Sequence, residues 1–225
     1  MATLEETGKL NNTYIIFTSD NGFFLGQHRI HRGKLLPYEP AVRVPMVIRG
    51  PGIKPNSTSR ELVANQDIAP TILKLTGARA RSRIDGRPMI RYWKNTKSVS
   101  RRPILLSSYQ AATRFIPGDY PDEPPVVVPA NKKKNKKGAQ VSAKASNHNY
   151  VGIRVGPYKY IQYEEAENEL YVLTKDPAEL KNRFGVPRYA EIQAYLQEEL
   201  DTLRACKGSS CRAPASKWPA PPKRF

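Results

Sequence analysis

Asp20-Asn21-Gly22 closes an apolar run and sets two hard oxygen donors side by side. A carboxylate and a carboxamide oxygen are ligands that a cation such as Ca²⁺ or Mg²⁺ selects. Taken alone, the tripeptide is also an ordinary turn, since all three residue types favour one. The next loop adds chemistry, for it carries His28, Arg29, His31, Arg32 and Lys34. A cation held on two oxygens, with an ammonium and imidazoles beside it, makes a pocket for a small tetrahedral anion. Lysine supplies a point charge with three donors. Histidine can donate a hydrogen bond or transfer a proton. Asp20 and Asn21 are therefore the candidate metal ligands, and Lys34 and His28 the candidate catalytic and substrate-contacting residues.

The elements that must position these residues can be read from the pattern around them. Thr13-Tyr-Ile-Ile-Phe-Thr18 is a continuous apolar and β-branched run, as expected of a strand covered on both faces. The carboxyl ends of parallel-type strands are where α/β folds build their sites. Val44-Pro-Met-Val-Ile-Arg49 is a second such run, closed by Gly50-Pro51-Gly52. Residues 65–77 read as a helix, with Asp67 as N-cap, Pro70 in the first turn and Gly77 as terminator. Strand, loop, strand, helix points to an α/β sheet with helices packed on it.

After about residue 100 the pattern changes. Residues 102–109 read as a strand, and residues 150–155 and 158–163 as a hairpin around Gly156-Pro157. Residues 169–173 add a strand, and Asp176-Pro177 opens a short helix. Tyr189 to Ala205 sets Ile192, Leu196, Leu200 and Leu203 on one stripe, the signature of an amphipathic helix packed on a sheet. The expected organisation is an α/β domain over 1–100 and a small α+β subdomain over 101–212. The latter carries a Pro/Lys-rich insertion at 116–147, and 213–225 reads as a disordered tail.

Composition limits the function classes. The 37 Lys and Arg against 20 Asp and Glu give a net charge of +17, which favours polyanionic partners without choosing among them. Lys132-Lys133-Lys134-Asn135-Lys136-Lys137 reads as a solvated run, or as a nuclear-localisation or heparin-type patch. No aromatic-interleaved basic motif of a nucleic-acid module occurs. No run of about 18 apolar residues exists, which excludes a membrane-spanning helix. The start reads as the end of a helix at Gly8 followed at once by a strand, with no signal peptide, so residues upstream are expected to be missing. Cys206 and Cys211 suit a small-loop disulfide of an oxidising compartment, with two free thiols as the alternative. Sequons at Asn11 and Asn56 are compatible with secretion but too common to argue it.

Read together, several segments resemble one family. They are Thr18-Ser-Asp-Asn-Gly-Phe-Phe-Leu-Gly-Gln-His28, Gly33-Lys34-Leu-Leu-Pro-Tyr38-Glu39, Arg43 to Gly52 and Leu62 to Thr71. Gly156-Pro-Tyr-Lys-Tyr, Glu169-Leu-Tyr and Asp176-Pro-Ala-Glu-Leu come after them in the same order. This series resembles the second half of the sulfatases, nearest to the type acting on N-acetylglucosamine-6-sulfate in heparan or keratan sulfate. The resemblance implies an alkaline-phosphatase-like α/β fold, a divalent cation, usually Ca²⁺, on Asp20 and Asn21, and Lys34 on the sulfate oxygens. His28 matches a frequent pocket histidine, and His31 matches nothing in the family. A sulfated glycan or other sulfate ester is the implied substrate, and a secreted, periplasmic or lysosomal location is implied by family.

The departure matters as much as the match. The family's nucleophile is a formylglycine made from a Cys/Ser-x-Pro-x-Arg motif, and no such motif occurs in this chain. The family's Asp-Asp strand, its other metal ligands, and its further His and Lys are also absent. The expectation is a sulfuric ester hydrolase by family whose nucleophile-bearing half lies elsewhere, with little or no activity as a separate chain. In the intact mechanism a formylglycine hydrate attacks sulfur, while the cation and Lys34 neutralise charge. The rival readings are a non-catalytic binder of sulfated glycan and a phosphatase or phosphodiesterase on the same fold.

Overall fold

The structure, a computed structural model, describes residues 1–30, 33–108, 149–164 and 166–222. The Pro/Lys-rich insertion with Lys132–Lys137, and His31, lie outside the described residues. In chain order the elements are α1 (Ala2–Glu6), β1 (Ile15–Thr18), α2 (Glu39–Val42), β2 (Met46–Arg49), α3 (Ile68–Thr76) and α4 (Ile90–Lys94). β3 (Ile104–Ser108), β4 (Tyr150–Val155), β5 (Tyr158–Tyr163), β6 (Glu169–Val172) and α5 (Ala190–Ala205) complete the order. The chain forms two compact units that interleave in sequence. The first holds Met1–Asp20, Val44–Ile104 and Asp201–Lys217; the second holds Asn21–Arg43, Leu105–Leu200 and Trp218–Phe225.

In the first unit, α1 is followed by Gly8 in the left-handed region at φ +67°, as a helix terminator requires. β1 and β2 pair antiparallel, with Ile15 opposite Arg49 and Phe17 opposite Val47. This corrects two expectations, since β1 is neither parallel-paired nor covered on both faces. One face of the pair, with Ile16, Met46 and Ile48, packs on the buried cluster of Met89, Tyr92 and Trp93. The opposite face leaves Phe17 65% and Val47 64% exposed, because no other described strand or helix covers it.

α3 is flanked by Asp67 at its N-cap and by Gly77 at its C-cap, which adopts φ +73°. Asp67 holds the N-cap position, yet its carboxylate serves other partners. It accepts the amides of Ala64 at 3.0 Å and Arg87 at 2.8 Å, and pairs with the buried Arg102 guanidinium at 2.8 Å. A helix-start residue is thus the polar hub of this unit, with every partner compensating a charge that burial alone would penalise. Cys206 and Cys211 form a disulfide that closes the loop after α5.

The second unit is built on the four-stranded antiparallel order β3-β4-β5-β6. β4 and β5 are joined by the two-residue turn Gly156-Pro157, with Val155 opposite Tyr158 and Gly156 at φ +50°. Successive residues of a strand face opposite sides, and β5 is buried on both. On one side Tyr160 donates to Gln197 of α5 at 3.0 Å, above the buried stripe of Ile192, Leu196 and Leu200. On the other, Lys159 reaches the Pro37 carbonyl at 3.0 Å.

One reading, the helix at Asp176-Pro177, meets a correction here, and the packing of two further segments is defined. Residues 21–43, expected in the first domain, pack in the second unit, where Phe24, Ile30, Leu36 and Tyr38 share a core with Tyr171 and Leu173. Asp176-Pro177 opens a turn rather than a helix. Glu179 takes φ +54°, and the Asp176 carboxylate accepts the amides of Leu180 and Lys181 at 3.1 and 2.8 Å. The described residues of the C-terminal segment make specific contacts. Ala215 is buried and donates to the Arg101 carbonyl at 2.9 Å, and the Pro219 carbonyl accepts from Tyr158 at 2.6 Å. Proline content lowers the entropy lost on ordering such a segment, which composition alone does not reveal.

Candidate metal and anion site

Asp20 and Asn21 are consecutive, and the chain passes from the first unit to the second between them. On the first unit's side, Asn65 donates to the Asp20 carbonyl at 2.6 Å and the Ser19 hydroxyl lies 3.3 Å from the Asp20 carboxylate. Asp20 is exposed at the end of β1. In the second unit, the Asn21 amide nitrogen donates to the Gly22 carbonyl at 2.8 Å, which turns its carbonyl oxygen the other way. That oxygen accepts the Lys34 ammonium at 3.2 Å.

Gly22 fixes the backbone of this turn. Its amide donates to the Ala41 carbonyl at 2.8 Å, and a Cβ in its place would lie 2.0 Å from the Pro40 carbonyl oxygen. Only glycine permits so close an approach. The third residue of the motif is therefore a packing requirement against α2, apart from any metal.

The structure brings Lys34 to Asn21, and it places His28 elsewhere. The His28 ring stacks on Tyr38 at 4.0 Å with 10° between planes, and meets Phe24 edge-on at 6.5 Å. Its backbone and that of Arg29 are left-handed, at φ +55° and +61°, an uncommon conformation for residues other than glycine. Burial pushes the imidazole pKa below its ordinary value; the Asp176 carboxylate opposes this and the Lys159 ammonium adds to it. At neutral pH the ring is uncharged, fitted to a hydrogen bond rather than to ion pairing.

Tyr38 in turn donates to Glu169 at 2.8 Å, and Tyr163 lies 3.3 Å from the other carboxylate oxygen. Burial raises the Glu169 pKa, while the phenols that bond it pull the other way. Beneath Tyr38, the fully buried Lys159 pairs with Glu39 at 2.8 Å and Glu179 at 2.7 Å, and the Glu39 amide donates to Glu179 at 2.6 Å. Three side chains that carry charge thus clamp the segment leading from Lys34 to α2. Sequence reasoning missed this clamp, because a lysine inside an alternating strand looks like a solvent-facing position. The one available signal was that the segments around Tyr38-Glu39, Lys159, Glu169 and Glu179 recur together in the resemblance.

The donor set suits a divalent cation in part. The Asn21 carbonyl oxygen is taken up by the Lys34 ammonium here, and it and the Asp20 carboxylate are oxygen donors of the type a divalent ion selects. Among the described residues no group of three or more His, Cys, Asp and Glu could hold a metal. Two donors fall short of the six to eight that Ca²⁺ takes, so these residues fit as part of a ligand set. No helix among the described residues is long and apolar enough to cross a membrane.

The sulfatase family profile matches residues 1–78, and the N-sulphoglucosamine sulphohydrolase C-terminal profile matches residues 140–206. An N-acetylglucosamine-6-sulfatase of Bos taurus is 35% identical over 219 residues, covering 94% of this chain and 38% of the relative. A solved structure of a protein in complex with its substrate D-glucosamine-2-N,6-O-disulfate is 29% identical. It superposes with a TM-score of 0.71, over 96% of this chain and 38% of its own. The phosphonate monoester hydrolase of Agrobacterium radiobacter, at 23% identity and TM-score 0.67 over 91% of this chain and 37% of its own, shares the fold alone. The chain thus spans 38% of the length of the curated relative it matches. Residues 1–78 match the sulfatases and residues 140–206 the C-terminal region of N-sulphoglucosamine sulphohydrolase, and along its length the chain is similar to part of a sulfatase of α/β fold.

Proposed function

We propose that this chain supplies the cation-binding pair and the sulfate-binding lysine of a sulfuric ester hydrolase acting on sulfated glycans. The observation that carries the reading is the Lys34 ammonium on the Asn21 carbonyl oxygen, 3.2 Å away, at the end of the Asp-Asn-Gly turn. It sets a cation beside the oxygen expected to hold one, as a site for sulfate oxygens would require. Asp20 and Asn21 hold a divalent ion, most simply Ca²⁺, together with ligands from outside this chain. When bound, that ion supplies Lewis-acid polarisation and charge neutralisation at the sulfate. Lys34 contributes a mobile positive charge toward the ester oxygens.

His28, a neutral ring held against Tyr38 and through it Glu169, has no contact with the Asn21–Lys34 pair, and its part in substrate binding is proposed from the resemblance. The nucleophile is contributed from outside this sequence, since no Cys/Ser-x-Pro-x-Arg motif occurs in it. Its two cysteines are joined to each other. The names of the relatives favour a 6-sulfated glucosamine as substrate. An oxidising compartment, extracellular or lysosomal, suits the disulfide and the extracellular sulfatases among the relatives.

The direct test is hydrolysis of a chromogenic aryl sulfate by the purified 225-residue chain, with Ca²⁺ and with EDTA. The folded chain alone is expected to be inactive. Turnover that disappears with EDTA and with Asp20→Ala would show instead that a group within this chain replaces the missing nucleophile.

A further inference from the structure

The first unit contains a cavity of about 860 Å³ that the proposed sulfatase chemistry does not use. That is within the range of roughly 300–1,000 Å³ found for pockets that enclose a drug-sized ligand. Two stretches far apart in sequence form it: residues 70–88, which run from α3 into the segment after it, and residues 207–212 of the disulfide loop after α5. Four cationic residues line it, Lys74, Arg83, Lys207 and Arg212, together with Ser82 and Ser209. Among the described residues that line it, none carries a carboxylate. Asp85, an acid in the same segment, is taken up by the Gly208 amide, which donates to it at 2.6 Å.

The backbone that carries these exposed cations is held in place. The disulfide Cys206–Cys211 ties the ends of the loop that carries Lys207 and Ser209. The Arg83 side chain lies across Gly208, where a Cβ would come within 2.9 Å of its Cγ and Cδ at a backbone φ of +64°. The Arg212 carbonyl accepts from the Arg87 guanidinium. α3 presents its carbonyl end here, equivalent to about half a negative charge. Four cationic residues outweigh that dipole, so the lining is net positive.

We infer that this cavity is a second, metal-independent binding site for a sulfated saccharide chain, distinct from the Asp20-Asn21 turn. Clustered ammonium and guanidinium groups match closely spaced sulfates, guanidinium groups by paired hydrogen bonds. The serine hydroxyls match sugar hydroxyls. None of the described lining residues is aromatic, so the stacking platform on which single-stranded nucleic acid depends is lacking among them. The choice of glycan rests on the proposed function, where this site would hold a stretch of the polymer away from the ester being cleaved.

The test is calorimetric titration of the full chain with a size-defined heparin oligosaccharide in EDTA, which removes the cation from consideration. The triple variant Lys74→Gln, Arg83→Gln, Lys207→Gln changes exposed side chains only. It is expected to bind at least about 10-fold more weakly, with a salt dependence shallower by about two in the log–log slope. A charge-matched control on the same unit, Lys9→Gln, Lys54→Gln, Arg60→Gln, is expected to lose less than about 3-fold. Asp20→Ala is expected to leave binding unchanged, which separates failure of this site from failure of the sulfatase reading. Equal losses in the two triple variants, no measurable binding, or sensitivity to Asp20→Ala would overturn the inference. So would a single-stranded oligonucleotide that binds as tightly and depends on the same three residues.

Discussion

The Lys34 ammonium lies 3.2 Å from the side-chain oxygen of Asn21, the oxygen that a divalent ion would take. In the proposed site the lysine and a metal would compete for one face of Asn21. At the separations involved, one unit charge acting on a divalent ion in an exposed site is worth about 1 kcal/mol. Lys34→Ala is therefore expected to bind Ca²⁺ several-fold more tightly than the wild-type chain, by calorimetric titration at low salt. Unchanged or weaker affinity would show that the two groups do not compete.

Lys159 is fully buried between Glu39 and Glu179, in the clamp that supports the Lys34 segment. Removing one partner of a buried ionic cluster leaves uncompensated charge, at a cost of about 3–5 kcal/mol. Lys159→Met is expected to destabilise the chain by that amount in urea unfolding. The double variant with Glu179→Leu is expected to recover most of it. A loss below about 1 kcal/mol in the single variant would mean that the carboxylates are neutral or solvated in the fold.

Glu169 gives a pH dependence with a definite sign. Burial raises its pKa in the fold, so the folded chain holds this proton more tightly than the unfolded chain. The stability it contributes is complete below the unfolded value near about 4.3 and is lost as pH rises through the folded value. Glu169→Gln keeps an acceptor for Tyr38 and removes the titration. Its melting temperature relative to wild type is therefore expected to rise as pH increases from about 4. A difference that stays flat or falls with pH would contradict the assignment.

Phe17 and Val47 face each other across the β1–β2 pair, and both lie on its uncovered face. Such an exposed apolar face is a route to self-association. Phe17→Lys with Val47→Thr is expected to lower light scattering and dye binding, with a stability change within about 0.5 kcal/mol, as for surface positions generally. A large loss of stability would mean that the face is packed in solution.

Much of the fold was legible in the residues, and what escaped did so for physical reasons. The Gly156-Pro157 hairpin, the α3 boundaries at Asp67 and Gly77, and the stripe of α5 come from local turn chemistry and periodicity. So does the element order of an α/β chain. Periodicity cannot carry partner identity. Phe17 reads as interior whether or not a neighbouring strand is present to cover it, and here none of the described residues does. Residues 21–43 carry no local mark that they pack beside Tyr171 and Leu173. At the site, Asn21 and Lys34 were read from residue type and spacing and are in contact. The stacking of His28 on Tyr38 was not visible, since it depends on a left-handed backbone at a residue other than glycine.

The central claim is that this chain contributes Asp20, Asn21 and Lys34 to a sulfate-ester site whose nucleophile comes from other residues. Its most direct test is a chimera in which this chain replaces the matching segment of the Bos taurus N-acetylglucosamine-6-sulfatase. Turnover of N-acetylglucosamine-6-sulfate is then measured with Ca²⁺. The account predicts an active chimera that loses at least about 100-fold in kcat on Lys34→Ala and loses activity with Asp20→Ala or EDTA. An active chimera indifferent to all three changes would contradict it.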